Sequence, residues 1–208
     1  LGEFSALGAL KQATKAGLTP LIEVPPVPWD FEGEQPAKSL DAHLIPVGEN
    51  CARYWGTGRP LFVDLAWISD QETSNGEHPL GSVLADLRAR GVQAIPVAGI
   101  SREGPYIEAA ADAIAQDGLG VCLRLDLDDL RSISTLDRQL VATCTDLAVS
   151  RSDVDLLLDF AAFDAGQAPA IEMAASMVLT SLPTPDEWRS LTMAGGAFPL
   201  NLSGFKGE

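Results

Sequence analysis

The chain has 208 residues, 46% of them hydrophobic and 21% charged, with a formal net charge of −15. That composition excludes an intrinsically disordered polymer, and the length suffices for one sizeable core. With no Lys/Arg cluster to offset it, the negative charge argues against non-specific binding to nucleic-acid backbones or anionic membranes.

No apolar run approaches the roughly 20 residues that span a bilayer. The longest, around Met173 to Leu182, is interrupted by Ser176, Thr180 and Ser181. No basic stretch leads into an apolar one as in a secretory leader, although the first residue is Leu1 and not Met. Cys51, Cys122 and Cys144 are odd in number, far apart and without a CxxC pair. A disulfide framework or zinc site is not expected, and a reducing cytoplasm is the simplest setting.

Phe4 to Ala16 reads as a helix stopped by Gly17. A β-rich run, Leu18-Thr-Pro-Leu-Ile-Glu-Val-Pro-Pro, follows and ends at Pro25 and Pro26. A helix is expected from about Ser39 to Trp55, with Pro46 as an interruption. Arg59-Pro-Leu-Phe-Val-Asp-Leu-Ala is the second strand, and a Ser/Asn/Gly-rich loop leads to the helix Leu80 to Arg90, closed by Gly91. The alternation continues with a strand from Val92 to Val97 and a helix from Pro105 to Gln116, stopped by Gly118. Gly120 to Leu125 is a strand, Thr135 to Ala148 a helix, and Val154 to Phe160 a strand. Ala168 to Leu182 is a helix, and Trp188 to Ala194 a last strand ending in Gly195-Gly196.

Six short Val/Ile/Leu-rich strands alternating with helices predict right-handed βαβ crossovers and a parallel sheet covered by helices. No GxGxxG or P-loop follows any strand. The helix before the first strand, and the absence of a closing helix after the last, bring the expected number to eight with one more strand at each end. The fold expected is an α/β, TIM-type (β/α) barrel over residues 1–208, a single domain lacking its first and last strands. A doubly wound parallel sheet is the alternative.

Side chains alternate along a strand. One parity groups Leu21 with Glu23, Phe62 with Asp64, Cys122 with Arg124 and Asp126, and Leu157 with Asp159, each charge near the carboxyl end of its strand. The other parity is apolar: Ile22 and Val24, Val63 and Leu65, Leu123 and Leu125, Leu156 and Leu158. Charges converging on the barrel mouth need a partner or a ligand. Glu23, Asp64 and Asp159 are candidates for a divalent metal or for acid–base work, with Arg124 binding an anion. The alternative is an internal ion-pair network in which Arg124 neutralises its neighbours. Trp29 and Trp67, just beyond strand ends, are candidates to wall the pocket or simply to pack. Asp126, Asp128 and Asp129 approximate calcium-loop spacing but lack the following Gly and distant Glu, so a helix cap is the better reading. His43 and His78 read as surface residues; Gly195-Gly196 could let backbone approach an anion, but a simple chain turn is the better reading.

These segments also resemble a known family. Leu18-Thr-Pro-Leu-Ile-Glu-Val-Pro-Pro, Trp29-Asp30, Pro60-Leu-Phe-Val-Asp-Leu and Ala94-Ile-Pro-Val-Ala-Gly occur in the order seen in the bacteriophage beta protein family. So do Gly120-Val-Cys-Leu-Arg-Leu, Val154-Asp-Leu-Leu-Leu-Asp, Ala194-Gly-Gly-Ala-Phe-Pro and Ser203-Gly. The resemblance implies a phage or mobile-element protein of this fold that counteracts a lethal neighbouring gene product. It supplies no catalytic residue. Two functions stay open: an immunity or toxin-neutralising component binding a basic partner protein, and a metal-assisted barrel enzyme acting on a phosphorylated or nucleotide-like small molecule.

Overall fold

The computed structural model describes residues 2–164, 166–182 and 184–196. The first predicted helix is two, α1 (Gly2–Ala9) and α2 (Gln12–Lys15), because Lys11 is extended between them. β1 (Leu21–Glu23) is followed by a small antiparallel hairpin, β2 (Trp29–Asp30) with β3 (Gln35–Pro36). α3 (Leu40–Asn50) starts at Ser39, whose Oγ accepts from the Ala42 amide at 3.3 Å. Pro46 lies inside α3 without ending it; the winding changes only at Cys51–Trp55, a π-helical turn. The Lys15 ammonium covers the end of that turn, donating to the Tyr54 carbonyl at 2.8 Å and lying 5.2 Å from the Trp55 ring centroid.

From β4 (Leu61–Asp64) onward the units repeat: α4 (Pro79–Ala89), β5 (Ala94–Ala98), α5 (Gly104–Asp117) and β6 (Val121–Leu125). α6 (Leu127–Arg131), α7 (Ile133–Asp146), β7 (Val154–Ala162), α8 (Ala168–Ser181) and β8 (Ser190–Gly196) complete the described chain. Gly118 ends α5 in the left-handed region at φ 64°. Gly120 has φ 72°, and a Cβ there would collide with the Asp153 carbonyl, so only glycine lets β6 start beside β7. The last strand continues through Gly195-Gly196 instead of turning there. Ala197, Phe198, Pro199 and Ser203, which also carry the family resemblance, lie outside the described residues.

The six long-range strands are all parallel and stand in the order β1-β4-β5-β6-β7-β8, which is chain order without reversal. The result is a curled half-barrel. Its outer face carries Val63, Leu65, Ala98, Leu123, Leu125, Leu156 and Leu158, all 0% exposed, packed against helix residues such as Leu84, Leu87, Ala110, Leu136 and Leu140. This burial is the main stabilising term, since each such side chain contributes about 1.5–3 kcal/mol when removed from water. The inner face lines a trough of about 1160 Å³, formed by strand residues and the turns at their ends and not by helices. No helix among the described residues is long and apolar enough to cross a membrane.

α4 has an uncommon N-terminal cap. The His78 Nδ1 accepts from the Leu80 amide at 3.2 Å, and its Nε2 then donates to the Ser69 carbonyl at 3.1 Å. Burial pulls the imidazole pKa below its usual 6.5, against the opposing Ser69 hydrogen bond. The folded state therefore favours neutral His78, and its contribution is complete above pH 6.5. As pH falls below that value the unfolded chain takes up the proton first, and the contribution is lost as pH passes through the lowered folded value. Protonation also removes the cap acceptor, worth about 1 kcal/mol. Urea denaturation between pH 7.5 and 5 is expected to show a loss of about that size, which a His78→Asn variant, able to cap at either pH, lacks.

Candidate functional site

The carboxyl end of the half-barrel is organised around Arg124. In β6 its side chain points inward, and its three guanidinium nitrogens reach three different strands. Nη1 donates to Glu23 Oε1 of β1 at 2.6 Å and to Asp64 Oδ2 of β4 at 2.9 Å. Nη2 and Nε both donate to Asp159 Oδ2 of β7, at 2.5 and 2.8 Å. The register accounts for the convergence, because Glu23 stands opposite Asp64 and Arg124 opposite Leu157, two residues before Asp159. Burial lowers the Arg124 pKa, but the hydrogen bonds to Glu23, Asp159 and Asp64 outweigh it and hold the group above the usual arginine range.

Asp64 is the most enclosed member, at 1% side-chain exposure. It faces a second guanidinium: Arg102 Nη2 donates to Oδ1 at 3.2 Å and to Oδ2 at 3.3 Å. The Ala66 amide donates to Oδ1 at 2.9 Å, closing the turn after β4. Arg102 also lies 5.3 Å from the ring of Tyr106, whose hydroxyl donates to the Val97 carbonyl at 2.8 Å. Burial raises the Tyr106 phenol pKa, followed by the charge of Asp64, so this hydroxyl stays a neutral brace under the network.

Four predicted site residues thus meet, Glu23, Asp64, Arg124 and Asp159, and three do not. Asp126 caps α6, its Oδ1 accepting from the Asp128 and Asp129 amides at 2.8 and 3.0 Å in a capping box. β6 ends at Leu125, so strand parity no longer governs it. Trp29 and Trp67 are 52% and 63% exposed and are not part of the trough lining. The metal expectation for Glu23, Asp64 and Asp159 also meets a different arrangement. Among the described residues no group of three or more His, Cys, Asp or Glu could hold a metal ion. The three carboxylates surround a guanidinium, which fills the place a cation would take.

Arg102 and Tyr106 are the members that sequence reasoning missed. Their only local signal is position, Arg102 following the carboxyl end of β5 and Tyr106 lying in the first turn of α5. The amino-terminal end of the trough is lined by another pair, Arg189 with Asp155 at 2.6 Å, Asp155 also accepting from Ser190 Oγ at 2.6 Å. Cys122 faces the trough between these layers, and burial, then the nearby Asp155 and Asp64, push its thiol pKa up. Burial raises Cys51 to about 12 and Cys144 above its usual value, so all three free cysteines are poor nucleophiles.

The model of one protein family, described as Beta protein, matches residues 1–208. The chain belongs to the beta protein family. No curated protein and no solved structure matches the chain. Within this beta family protein, then, the Arg124 network is described by its own geometry. That geometry is a cation satisfied by three acids, with a buried tyrosine and a second arginine supporting the most enclosed acid.

Proposed function

We propose that this beta family protein is an immunity or toxin-neutralising component of phage–host conflict that works by binding a partner protein, on a cytoplasmic TIM-type barrel scaffold. The observation that carries the reading is the Arg124 network. Glu23, Asp64 and Asp159 are each engaged by a guanidinium, and the thiols are held protonated. A general base or nucleophile needs the opposite: a lone pair left free to meet the substrate. Strand order without reversal, and helices on one face only, support the barrel. The test is co-expression with the product of any neighbouring gene that is lethal when expressed alone. The wild-type chain is expected to restore growth and to co-elute with that product, and lethality unchanged by its expression sinks the reading.

The enzyme reading rests on the trough of about 1160 Å³ that Arg124 helps line, which suits a phosphorylated or nucleotide-like molecule. Calorimetric titration with Mg²⁺, Mn²⁺ and Zn²⁺ separates the two. Binding that an Asp64→Asn/Asp159→Asn double variant abolishes favours the enzyme, and heat changes absent from both proteins favour the scaffold.

A further inference from the structure

We infer that the carboxyl-terminal rim of the half-barrel, through Trp29, Phe31 and Trp67, docks a basic segment of the partner protein. This rests on the partner-binding reading above and names the surface and the chemistry it would use.

Among the described residues the exposed large aromatics are Trp29 at 52%, Phe31 at 86% and Trp67 at 63%, whereas Trp55 and Trp188 are 6% exposed. All three exposed rings lie on loops leaving the carboxyl ends of β1 and β4, strands that pair directly with Glu23 opposite Asp64. Isolated exposed apolar residues need no explanation, but aromatics gathered on one end of a fold are the composition of a binding surface.

Both loops are anchored. Trp29 sits in the β2–β3 hairpin opposite Pro36, the Ala37 amide donates to the Pro28 carbonyl at 2.8 Å, and Asp30 Oδ1 accepts from the Glu32 amide at 3.1 Å. Trp67 lies on a single 3₁₀ turn between Ala66, tied to Asp64, and Ile68, which is 0% exposed. Rings presented on such loops lose little conformational freedom when they bind.

The charge of these loops decides the partner. They carry Asp30, Glu32, Glu34, Asp70, Glu72 and Glu77 against one cation, Lys38. Carboxylates beside open aromatic faces attract guanidinium and ammonium groups through Coulomb and cation–π terms together. The same field repels phosphodiester backbones and anionic lipid headgroups. Exposed Met173 and Met177 on α8, at 65% and 57%, lie on a different element and provide the control.

The test uses the full-length protein and a fluorescein-labelled peptide of nine residues rich in arginine, in 0.15 M salt. Wild type is compared with Trp29→Ala/Trp67→Ala and with Met173→Ala/Met177→Ala, after circular dichroism shows equal melting temperatures. The expected result is binding by wild type, at least tenfold weaker binding by the tryptophan variant, and binding within twofold of wild type by the methionine variant. Peptide is also expected to shield wild-type tryptophan emission from acrylamide. Equal affinity for all three proteins, no binding by wild type, or preference for phosphatidylglycerol vesicles over the peptide overturns the assignment. In co-expression with the lethal product, failure of wild type to protect removes the partner-binding reading itself. Protection by wild type and equally by the tryptophan variant removes only the rim assignment.

Discussion

Replacing Arg124 with methionine is expected to lower the free energy of unfolding by about 3 kcal/mol, the low end of what breaking a buried ion pair costs. Methionine keeps much of the volume, so the loss reports charge and hydrogen bonding more than packing. The enclosed acids dominate, with Asp64 at 1% and Asp159 at 15% side-chain exposure. Glu23, at 43%, is solvated and contributes little. Arg102 continues to hold Asp64 in the variant, which is why the low end applies. Arg124→Lys is expected to recover only part of the loss, since one ammonium cannot span Glu23, Asp64 and Asp159 in the directions that three planar nitrogens do. Urea denaturation at pH 7 measures both variants. A loss below about 1 kcal/mol for the methionine variant means that the network behaves as solvated surface charge.

The second large effect is expected at Leu123. It is 0% exposed in β6, flanked by β5 and β7 and facing the helices. Leu123→Ala removes three carbons from a site whose backbone is pinned by ladders on both sides, so the cavity cannot collapse. A loss of about 2–5 kcal/mol is expected, with the upper half favoured by that rigidity. Met177→Ala on α8, where the side chain is 57% exposed, is expected to change stability by less than about 0.5 kcal/mol. Thermal and urea denaturation of the two variants side by side check the contrast, and similar losses at both positions contradict the assignment of the helix-covered face as the core.

The strand–helix alternation was legible because its signals are local. Gly118 and Gly91 adopt the left-handed conformations that end helices α5 and α4, at φ 64° and 73°. Ser39 caps α3. Period-two alternation in β1, β4, β6 and β7 separates the outer leucines and valines from Glu23, Asp64, Arg124 and Asp159. What the alternation could not carry was anything beyond a strand's end, where the backbone stops alternating. Asp126 is one residue past β6 and turns back to cap a helix, while Trp29 and Trp67 stand beyond β1 and β4 and face solvent. Pro46 misled for a related reason: the tendency of proline to break a helix is local, and α3 continues to Asn50 in its tertiary setting.

The sequence by itself determined the main strand–helix alternation, the parallel sheet and, in β1, β4, β6 and β7, which residues share a face. Those follow from periodicity, glycine and capping chemistry within a few residues. The tertiary structure alone decided that Arg124 binds all three acids at once, that Arg102 from the β5–α5 loop shares Asp64, and that Tyr106 braces the pair. Asp64 and Arg102 are 38 residues apart, and Arg124 and Glu23 are 101 apart. Only strand register, fixed by helix packing on the outer face, brings such groups within hydrogen-bond distance. Once there, their desolvation makes mutual pairing the lower-energy state.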